Sequence, residues 1–299
     1  MTAAYFCAIL SIKSTIKEFF SMVTRKDFYD ALRELGLREG DSLLTHSSFK
    51  SLGEVENGAD DIVGAMFDAV GEDGTVIFPT LCSRDWKNIF KNWHLDAPSD
   101  VGYLTNYFRK LPGATRSDHA THSVAAKGKM GEYITETHGI TGLRPGNFGN
   151  RAFSADSPWE KMYQMDTKIL FLGVSMRYCT FRHYAEYCFI ESCLKKMEGS
   201  PKYEEMKNRL WDYCKPGPWT HTDALYVEEL LDKEGKVKRA KCGDALLTLV
   251  SSKDFVDKTI ELFEKREPGV FWQDGNYWDN KDTFAWLDDM DKIVNELSF

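Results

Sequence analysis

The spacing of hydrophobic and polar residues alternates between helical and strand periods in the N-terminal part of the chain. Residues 26–35 have a helical period, and a short apolar run over residues 41–45 leads to His46. A second helical pattern covers residues 59–70, and an apolar strand follows over residues 75–79 after a glycine-bounded turn. Strands that alternate with helices predict parallel pairing within one α/β domain.

The pattern continues with a strand over residues 168–174, whose middle is apolar throughout, as expected of a strand buried on both faces. Residues 82–101 carry several aromatic side chains without a clear period, so we expect a functional loop there. The remaining predicted elements are helices over residues 102–111, 182–196 and 253–265, a polar connector over residues 201–218, and a hairpin-like pair of strands around Gly235.

No internal repeat, low-complexity tract or long linker interrupts this order, which favours one domain with an appended tail. We expect an N-terminal extension over residues 1–23, the domain over residues 24–271, and an aromatic and acidic tail over residues 272–299 that packs on the same domain. Basic residues follow the first apolar run instead of preceding it, which is the reverse of a secretory signal.

The composition narrows the class of partner. The 299 residues are 42% hydrophobic, and 38 basic against 46 acidic residues give a formal charge of −8. This charge argues against binding along a nucleic-acid backbone, and no apolar stretch approaches the roughly 20 residues that span a bilayer. The seven cysteines are scattered without a CxxC pair. We therefore expect a cytoplasmic protein with neither nucleic acid nor a membrane as a partner.

Residues 45–53, THSSFKSLG, lie between a predicted strand and a predicted helix. Small hydroxyl groups, backbone N–H groups and a helix N-terminus near Gly58 suit a phosphate or pyrophosphate group. The alternative is a serine-rich turn in which His46 packs against the end of the strand.

His119 and His122 lie three positions apart in the polar run RSDHATHS. On one helical face they could share a metal ion, although zinc sites use three or four protein ligands. The alternative is a loop in which both imidazoles form hydrogen bonds with backbone carbonyl groups.

His183 and Glu186 also lie three positions apart, in TFRHYAE directly after the predicted central strand. A carboxylate beside an imidazole raises its basicity and fixes its tautomer, which gives a general base near neutral pH. The alternative is a polar pair on a helix surface without a role.

Upstream, Ser157 predicts a helix start in which Glu160 completes a capping box.

Six motifs in their order resemble the antibiotic N-acetyltransferase family, whose best known members are the aminoglycoside 3-N-acetyltransferases. The resemblance runs over residues 24–271. The motifs are HSSFKSLG at residues 46–53, GEDGTVIFPT at 71–80, RSDHATHSVAAKG at 116–128, SPWEKMY at 157–163, LFLGV at 170–174 and TFRHYAE at 180–186.

The resemblance implies an α/β/α sandwich around a mostly parallel central sheet. It implies an N-acetyltransferase that binds acetyl-CoA and transfers the acetyl group directly to a small-molecule amine, an aminoglycoside or an amino sugar, without an acyl-enzyme or a metal ion. Members of the family are often dimers, so a homodimer is the expected assembly.

The resemblance also assigns roles to residues. His183 is the expected general base, with Glu186 beside it and Thr180 lining the same site. The expected acetyl-CoA contacts are His46, Ser47, Ser48, Ser51, Leu52, Gly53, Ser123 and Ser157. The expected acceptor contacts are His119 and Asp212.

The chain departs from the family pattern at Ala120, where the family has proline, and at Cys179, where it has asparagine. Aminoglycoside-modifying members also carry several acids after the catalytic helix, whereas residues 210–219 contain Asp212 alone. A polycationic sugar needs several carboxylates, so a biosynthetic amino sugar or a nucleotide-linked amine is a second possible acceptor.

Two competing functions stay open at the level of the sequence. One is that of an inactive relative that binds CoA or a sugar. The second is that of a metal-dependent hydrolase built on His119, His122, His183 and Glu186.

Overall fold

The structure is a computed structural model. It describes residues 22–82, 88, 92–138, 152–210, 218–272 and 280–298. Asp212, the first 21 residues of the predicted N-terminal extension and part of the predicted loop at residues 82–101 lie outside the described residues.

A mixed sheet of seven strands forms the middle layer of the described residues. The strands are β1 Ser42–Ser47, β2 Thr75–Pro79, β3 Thr115–Arg116, β4 Val124–Gly128, β5 Lys168–Leu172, β6 Lys238–Cys242 and β7 Ala245–Ser251. Their spatial order is β3-β4-β2-β1-β5-β7-β6. β1 pairs in parallel with β2 and β5, and the remaining four pairings are antiparallel. The expected parallel pairing therefore holds for the three central strands, but the sheet as a whole is mixed and not mostly parallel, because its outer strands pair antiparallel.

Helices cover both faces of this sheet. They are α1 Arg25–Glu34, α2 Ala59–Val70, α3 Tyr103–Phe108, α4 Gly131–Thr135, α5 Pro158–Gln164, α6 Phe181–Lys196, α7 Tyr203–Arg209, α8 Ala224–Lys233, α9 Ser252–Glu264 and α10 Asn280–Leu297. Short 3₁₀ turns lie at Phe49–Leu52, Met176–Tyr178 and Pro268–Val270. The predicted helix over residues 59–70 and strand over residues 75–79 coincide with α2 and β2. None of the described helices is both long enough and apolar enough to span a membrane.

Successive side chains of a strand point to opposite faces, so neighbouring residues of β1 contribute to two different cores. Leu43 is buried with apolar residues of α1, α2 and α3. Leu44 belongs to the second core, which contains Trp159 of α5, Phe181 of α6 and Trp286 of α10. The α/β/α sandwich implied by the resemblance is confirmed.

Two elements differ from the sequence-based prediction. The polar connector expected over residues 201–218 contains the helix α7, because Tyr203 and Met206 pack on the core between charged neighbours. The hairpin joins β6 and β7 around Gly243 and not around Gly235. Gly235 follows α8 with a φ of 72°, a conformation that commonly ends a helix at glycine.

The C-terminal helix α10 packs on the same core as α5 and α6. Its Trp286 Nε1–H donates a hydrogen bond to the Met206 carbonyl oxygen at 2.9 Å. On the outer face of α10, Asp288 and Asp291 both form ion pairs with Arg266. These carboxylates of the acidic tail are therefore engaged with a neighbouring cation.

Candidate active site

The carboxyl ends of the three parallel strands meet at one edge of the sheet. β1 lies between β2 and β5, so strands that follow it in the chain lie on both of its sides. Open α/β folds form their ligand crevice at such a point of the sheet. A cavity of about 540 Å³ lies at this edge. Its walls include His46 from β1, Pro79 from β2, and Thr180 and His183 beyond β5. The structure thus brings residues of separate motifs to one cavity.

His183 and Glu186 form the expected pair on the first turns of α6. The His183 Nδ1 and the Glu186 Oε2 lie 2.9 Å apart. The Glu186 side chain is 1% exposed, whereas that of His183 is 25% exposed. The second carboxylate oxygen, Oε1, accepts a hydrogen bond from the Thr222 backbone N–H at 2.8 Å. The carboxylate is therefore held from two sides.

The charge state of Glu186 follows from its surroundings. Burial acts to raise the pKa of Glu186, but the charge and hydrogen bond of His183, with further contributions from His221 and Arg182, hold that pKa at about 2. Glu186 is thus a carboxylate at neutral pH and accepts a hydrogen bond from Nδ1–H of His183. The lone pair of neutral His183 is then on Nε2, which lies 3.4 Å from the Arg182 Nε.

His46 lies at the end of β1, where its ring stacks on Phe171 with centroids 5.3 Å apart. Burial, together with the positive charge of Arg182, lowers the pKa of His46 to about 4. His46 is therefore neutral at pH 7. Its Nε2 has no hydrogen-bond partner among the described residues. An unsatisfied buried polar atom at the wall of a cavity suits a ligand contact.

His122 also lines the cavity. Its ring lies edge-on to the His183 ring, with centroids 6.0 Å apart, and the Thr121 hydroxyl lies 2.8 Å from its Nδ1. In the sequence-based prediction His122 is a candidate only as a metal ligand, beside His119 or in the alternative hydrolase, and has no role in acetyl transfer. Among the described residues, no group of three or more His, Cys, Asp or Glu side chains is arranged to hold a metal ion.

His119 lies behind this wall. Its Nδ1 accepts hydrogen bonds from the backbone N–H groups of Thr121 at 3.2 Å and His122 at 3.1 Å, so its proton is on Nε2. Its ring stacks on His138 with centroids 4.4 Å apart. His119 shapes the turn that carries His122, and its expected contact with the acceptor stays a prediction.

The serine-rich loop reaches the cavity only at its beginning, through Thr45, His46 and Ser47. The remaining expected acetyl-CoA contacts of this loop are not among the described lining residues: Ser48, Ser51, Leu52 and Gly53. The Ser51 Oγ donates a hydrogen bond to the Ser48 carbonyl oxygen at 2.6 Å. Leu52 is buried in the core beneath α1 and α2. The later part of the loop thus supports the wall from outside.

The N-terminus of α2, where the sequence predicts a phosphate site, carries its own acids. Asp60 and Asp61 both lie in the first turn. The Asp61 carboxylate accepts a hydrogen bond from the Asn57 backbone N–H at 3.0 Å. Carboxylates in this position stabilise the positive end of the helix and repel a phosphate. The geometry of this terminus therefore gives no support to the predicted anion site.

Ser123 and Ser157 hold neighbouring elements together and are not among the described lining residues. The Ser123 Oγ lies 2.9 Å from the Thr80 Oγ1. Ser157 caps α5 by accepting a hydrogen bond from the Glu160 N–H at 3.2 Å. The expected capping box is incomplete, because the Glu160 side chain accepts from the Asp156 N–H instead of from the cap residue.

Two guanidinium groups without a role in the sequence-based prediction also line the cavity, those of Arg177 and Arg182. Arg182 stands beside His183 in the motif TFRHYAE, which is the local signal that could have identified it. Arg177 lies in the 3₁₀ turn between β5 and α6. Asp100 is the single acid among the described lining residues.

Gly173, directly after β5, sets the approach of the serine-rich loop to the sheet. Its φ is +60°, and a Cβ atom there would lie 1.7 Å from the Ser51 Oγ. We expect Gly173→Ala to lower the free energy of unfolding by roughly 2–4 kcal/mol, from left-handed backbone strain and overpacking. Urea denaturation measures this loss.

The matched control is Gly235→Ala. Gly235 also has a positive φ of 72°, but nothing lies within 4 Å of the position of its Cβ. This variant therefore isolates the backbone strain from the contact with Ser51. Equal losses of stability in the two variants would show that the contact with Ser51 contributes nothing.

Residues 44–264 match the family model described as aminoglycoside 3-N-acetyltransferase. The aminoglycoside N(3)-acetyltransferase III of Salmonella sp is 33% identical over 182 residues, which cover 55% of this chain and 60% of that protein. The chain thus spans about 60% of the length of that relative. The SPbeta prophage-derived aminoglycoside N(3')-acetyltransferase-like protein YokD of Bacillus subtilis (strain 168) is 28% identical over 260 residues, covering 79% of this chain and 91% of that protein.

The fold is shared with a solved structure of AAC-IIIb, a binary complex with CoASH. The TM-score is 0.65 at 20% sequence identity, over 82% of this chain and 98% of that chain. This likeness concerns the fold. It agrees with the arrangement of helices on both faces of the central sheet.

Proposed function

Because the chain belongs to the aminoglycoside 3-N-acetyltransferase family, we propose that it is an N-acetyltransferase in which His183 is the general base. The observation that carries the proposal is the His183–Glu186 pair at the wall of the cavity, with Nδ1 and Oε2 2.9 Å apart. A partly exposed imidazole backed by a buried carboxylate is the arrangement that a base near neutral pH requires.

The chemistry of the acceptor explains the need for this base. A protonated amine has no lone pair with which to attack a thioester, so a proton must first be removed. Nε2 of His183 accepts that proton, because Nδ1–H is engaged by Glu186. The Glu186 carboxylate stabilises the imidazolium that forms. The Thr222 N–H keeps the carboxylate in place during the transfer.

The proposed donor is acetyl-CoA, and the related AAC-IIIb structure is a complex with CoASH. Bound acetyl-CoA supplies a thioester carbonyl carbon, where a C–N bond to the amine forms as the C–S bond breaks and the thiol leaves with a proton. His46 and Ser47 fit such a donor, since both line the cavity at the end of β1. The unpartnered Nε2 of neutral His46 offers a hydrogen bond to the acetyl carbonyl oxygen.

The proposed acceptor is an amine of an aminoglycoside or of an amino sugar. The relatives from Salmonella sp and Bacillus subtilis carry aminoglycosides in their names. A second candidate is a less cationic amine, such as a biosynthetic amino sugar or a nucleotide-linked amine. The described lining favours it, because Arg177 and Arg182 outnumber Asp100.

The proposal places the enzyme in the cytoplasm as a homodimer. The five cysteines of the described residues are all free, as is usual in a reducing compartment. The dimer rests on the resemblance to the family alone.

A thiol-release assay with acetyl-CoA tests the proposed function. We expect thiol release that depends on both enzyme and amine for at least one of gentamicin, glucosamine and a nucleotide-linked amino sugar, and that persists in the presence of EDTA. The absence of both CoA-thioester binding and transfer to any of these amines would contradict the proposal. Stoichiometric zinc that survives chelation would favour the metal-dependent hydrolase instead.

A further inference from the structure

A second cavity of about 230 Å³ adjoins the first, and we refer to it as the side pocket. The two cavities share as walls Arg177, Tyr178 and Arg182. The remaining walls of the side pocket are His221, Thr222 and Trp272. Since the Thr222 N–H donates to Glu186, the side pocket lies directly beside the catalytic pair.

Neither arginine of the shared wall forms an ion pair with a carboxylate of the described residues. The Arg182 Nε–H points toward the His183 Nε2 at 3.4 Å, and its Nη1 donates to the Arg177 carbonyl oxygen at 3.3 Å. The Arg177 guanidinium lies 4.7 Å from the centre of the Trp272 ring. Arg182 acts on the Glu186 carboxylate only through space and helps to lower its pKa, because the hydrogen bonds of that carboxylate go to His183 and Thr222.

Arg239 shows the contrasting arrangement, in which a guanidinium is neutralised. It forms ion pairs with both Glu228 and Asp232. A guanidinium that is partly withdrawn from water without a carboxylate in direct contact is only partly compensated for its lost hydration. The half-buried Arg182 is therefore placed for an anion that arrives with a ligand.

Thr222 provides an independent observation at the same place. Its side chain is 1% exposed, and its Oγ1 has no hydrogen-bond partner among the described residues. A hydroxyl group can donate to an anionic oxygen. Two guanidinium groups and a buried hydroxyl thus border a pocket that is larger than a carboxylate or a phosphate group.

The position of the side pocket identifies the ligand that carries the anion. CoA contains phosphates, but its pantetheine arm separates them from the thioester by many bonds. When the acetyl group lies beside His183, these phosphates lie far from a pocket that borders Glu186. The acceptor amine, in contrast, must contact the His183 Nε2 and so has its other substituents close to the side pocket.

We propose that the acceptor is an amine that also carries a carboxylate or a phosphate, and that Arg177, Arg182 and Thr222 bind this anionic group. The inference rests on the proposed acetyl transfer and defines its acceptor. The same two guanidinium groups also face the main cavity, whose described walls contain one carboxylate, that of Asp100. A polycationic aminoglycoside is repelled by such a lining.

Matched acceptors test the inference: glucosamine, glucosamine 6-phosphate, muramic acid as the carboxylate form, and gentamicin. We expect kcat/KM for the two anionic acceptors to exceed that for glucosamine by about tenfold or more, as a charge-assisted contact allows. Arg177→Gln and Arg182→Gln are expected to remove most of this preference through KM, and Arg182→Lys to restore part of it. Arg38→Gln, an exposed arginine on the loop before β1, is the control and leaves the preference unchanged.

The outcomes separate the inference from the proposed function. Transfer to glucosamine or gentamicin as fast as to the anionic acceptors, or a preference that survives both glutamine variants, overturns the inference and leaves acetyl transfer intact. An equal fall in kcat for all acceptors in Arg182→Gln assigns Arg182 to the reaction itself and also overturns it. Calorimetric titration with glucosamine 6-phosphate needs no turnover, so binding that is lost in both glutamine variants supports the side pocket even if transfer fails.

Discussion

The His183→Asn variant is expected to lower kcat for acetyl transfer by a factor of about 10²–10⁴. The asparagine Nδ2 can take the place of the histidine Nδ1–H and donate to Glu186, so the buried carboxylate keeps a partner. No atom replaces Nε2, and the acceptor amine loses its proton acceptor. Thiol release at saturating acetyl-CoA measures the loss. Calorimetric titration with CoA is expected to give a Kd within about twofold of the wild-type value, because only the reaction step is affected.

Two further variants separate chemistry from folding. Lys195→Ala changes an exposed side chain near the end of the same helix and is expected to retain full activity. His183→Ala removes the partner of the buried Glu186 carboxylate and is expected to lose stability as well as activity. If His183→Asn lost CoA affinity and kcat to the same extent, His183 would have a structural role and would not be the base.

Features that depend on local sequence were predictable. α2 and β2 coincide with their predicted bounds, because Gly58, Gly71 and Gly74 mark the turns around them. The His183–Glu186 contact was predictable for the same reason, since three positions on a helix always bring two side chains to one face. The sequence therefore determined the centre of the candidate site.

Contacts between distant segments were not predictable from one sequence. The hydrogen bond from Thr222 to Glu186 depends on how the segment after α7 returns to α6. The stacking of His46 on Phe171 depends on the register of β1 against β5. The hairpin was misplaced because Gly235 and Gly243 both suit a turn, and the charged strand β6 hides the alternation that would distinguish them.

The Glu186→Gln variant is expected to lose stability at neutral pH but not in strong acid. The pKa of Glu186 is about 2 in the folded protein, against 4.5 for an unperturbed glutamate. A group whose pKa is lowered by folding contributes stability above its unfolded pKa, and that contribution is lost as the pH falls through the folded pKa. This contribution is present above pH 4.5 and is lost as the pH approaches 2.

Urea denaturation across this range measures the difference in free energy of unfolding between the wild type and Glu186→Gln. We expect the difference to be largest at neutral pH and to vanish in strong acid. Glu261→Gln is the matched control, since hydrogen bonds to Lys258 and Lys265 also lower the pKa of Glu261 to about 2. Glu261 lies at the surface, where water screens its ion pairs, and its replacement is expected to change stability by about 1 kcal/mol or less.

The same variant tests how the base is oriented. The glutamine amide oxygen can still accept the Thr222 N–H, so its NH₂ group faces the His183 Nδ1. An N–H donor at this position favours the tautomer with the proton on Nε2, and the atom that must accept the proton of the amine then has no lone pair available. We therefore expect kcat of Glu186→Gln to fall nearly as far as that of His183→Asn, with little change in the KM of the acceptor. A kcat equal to that of the wild type would show that the proton of the amine is not taken by Nε2.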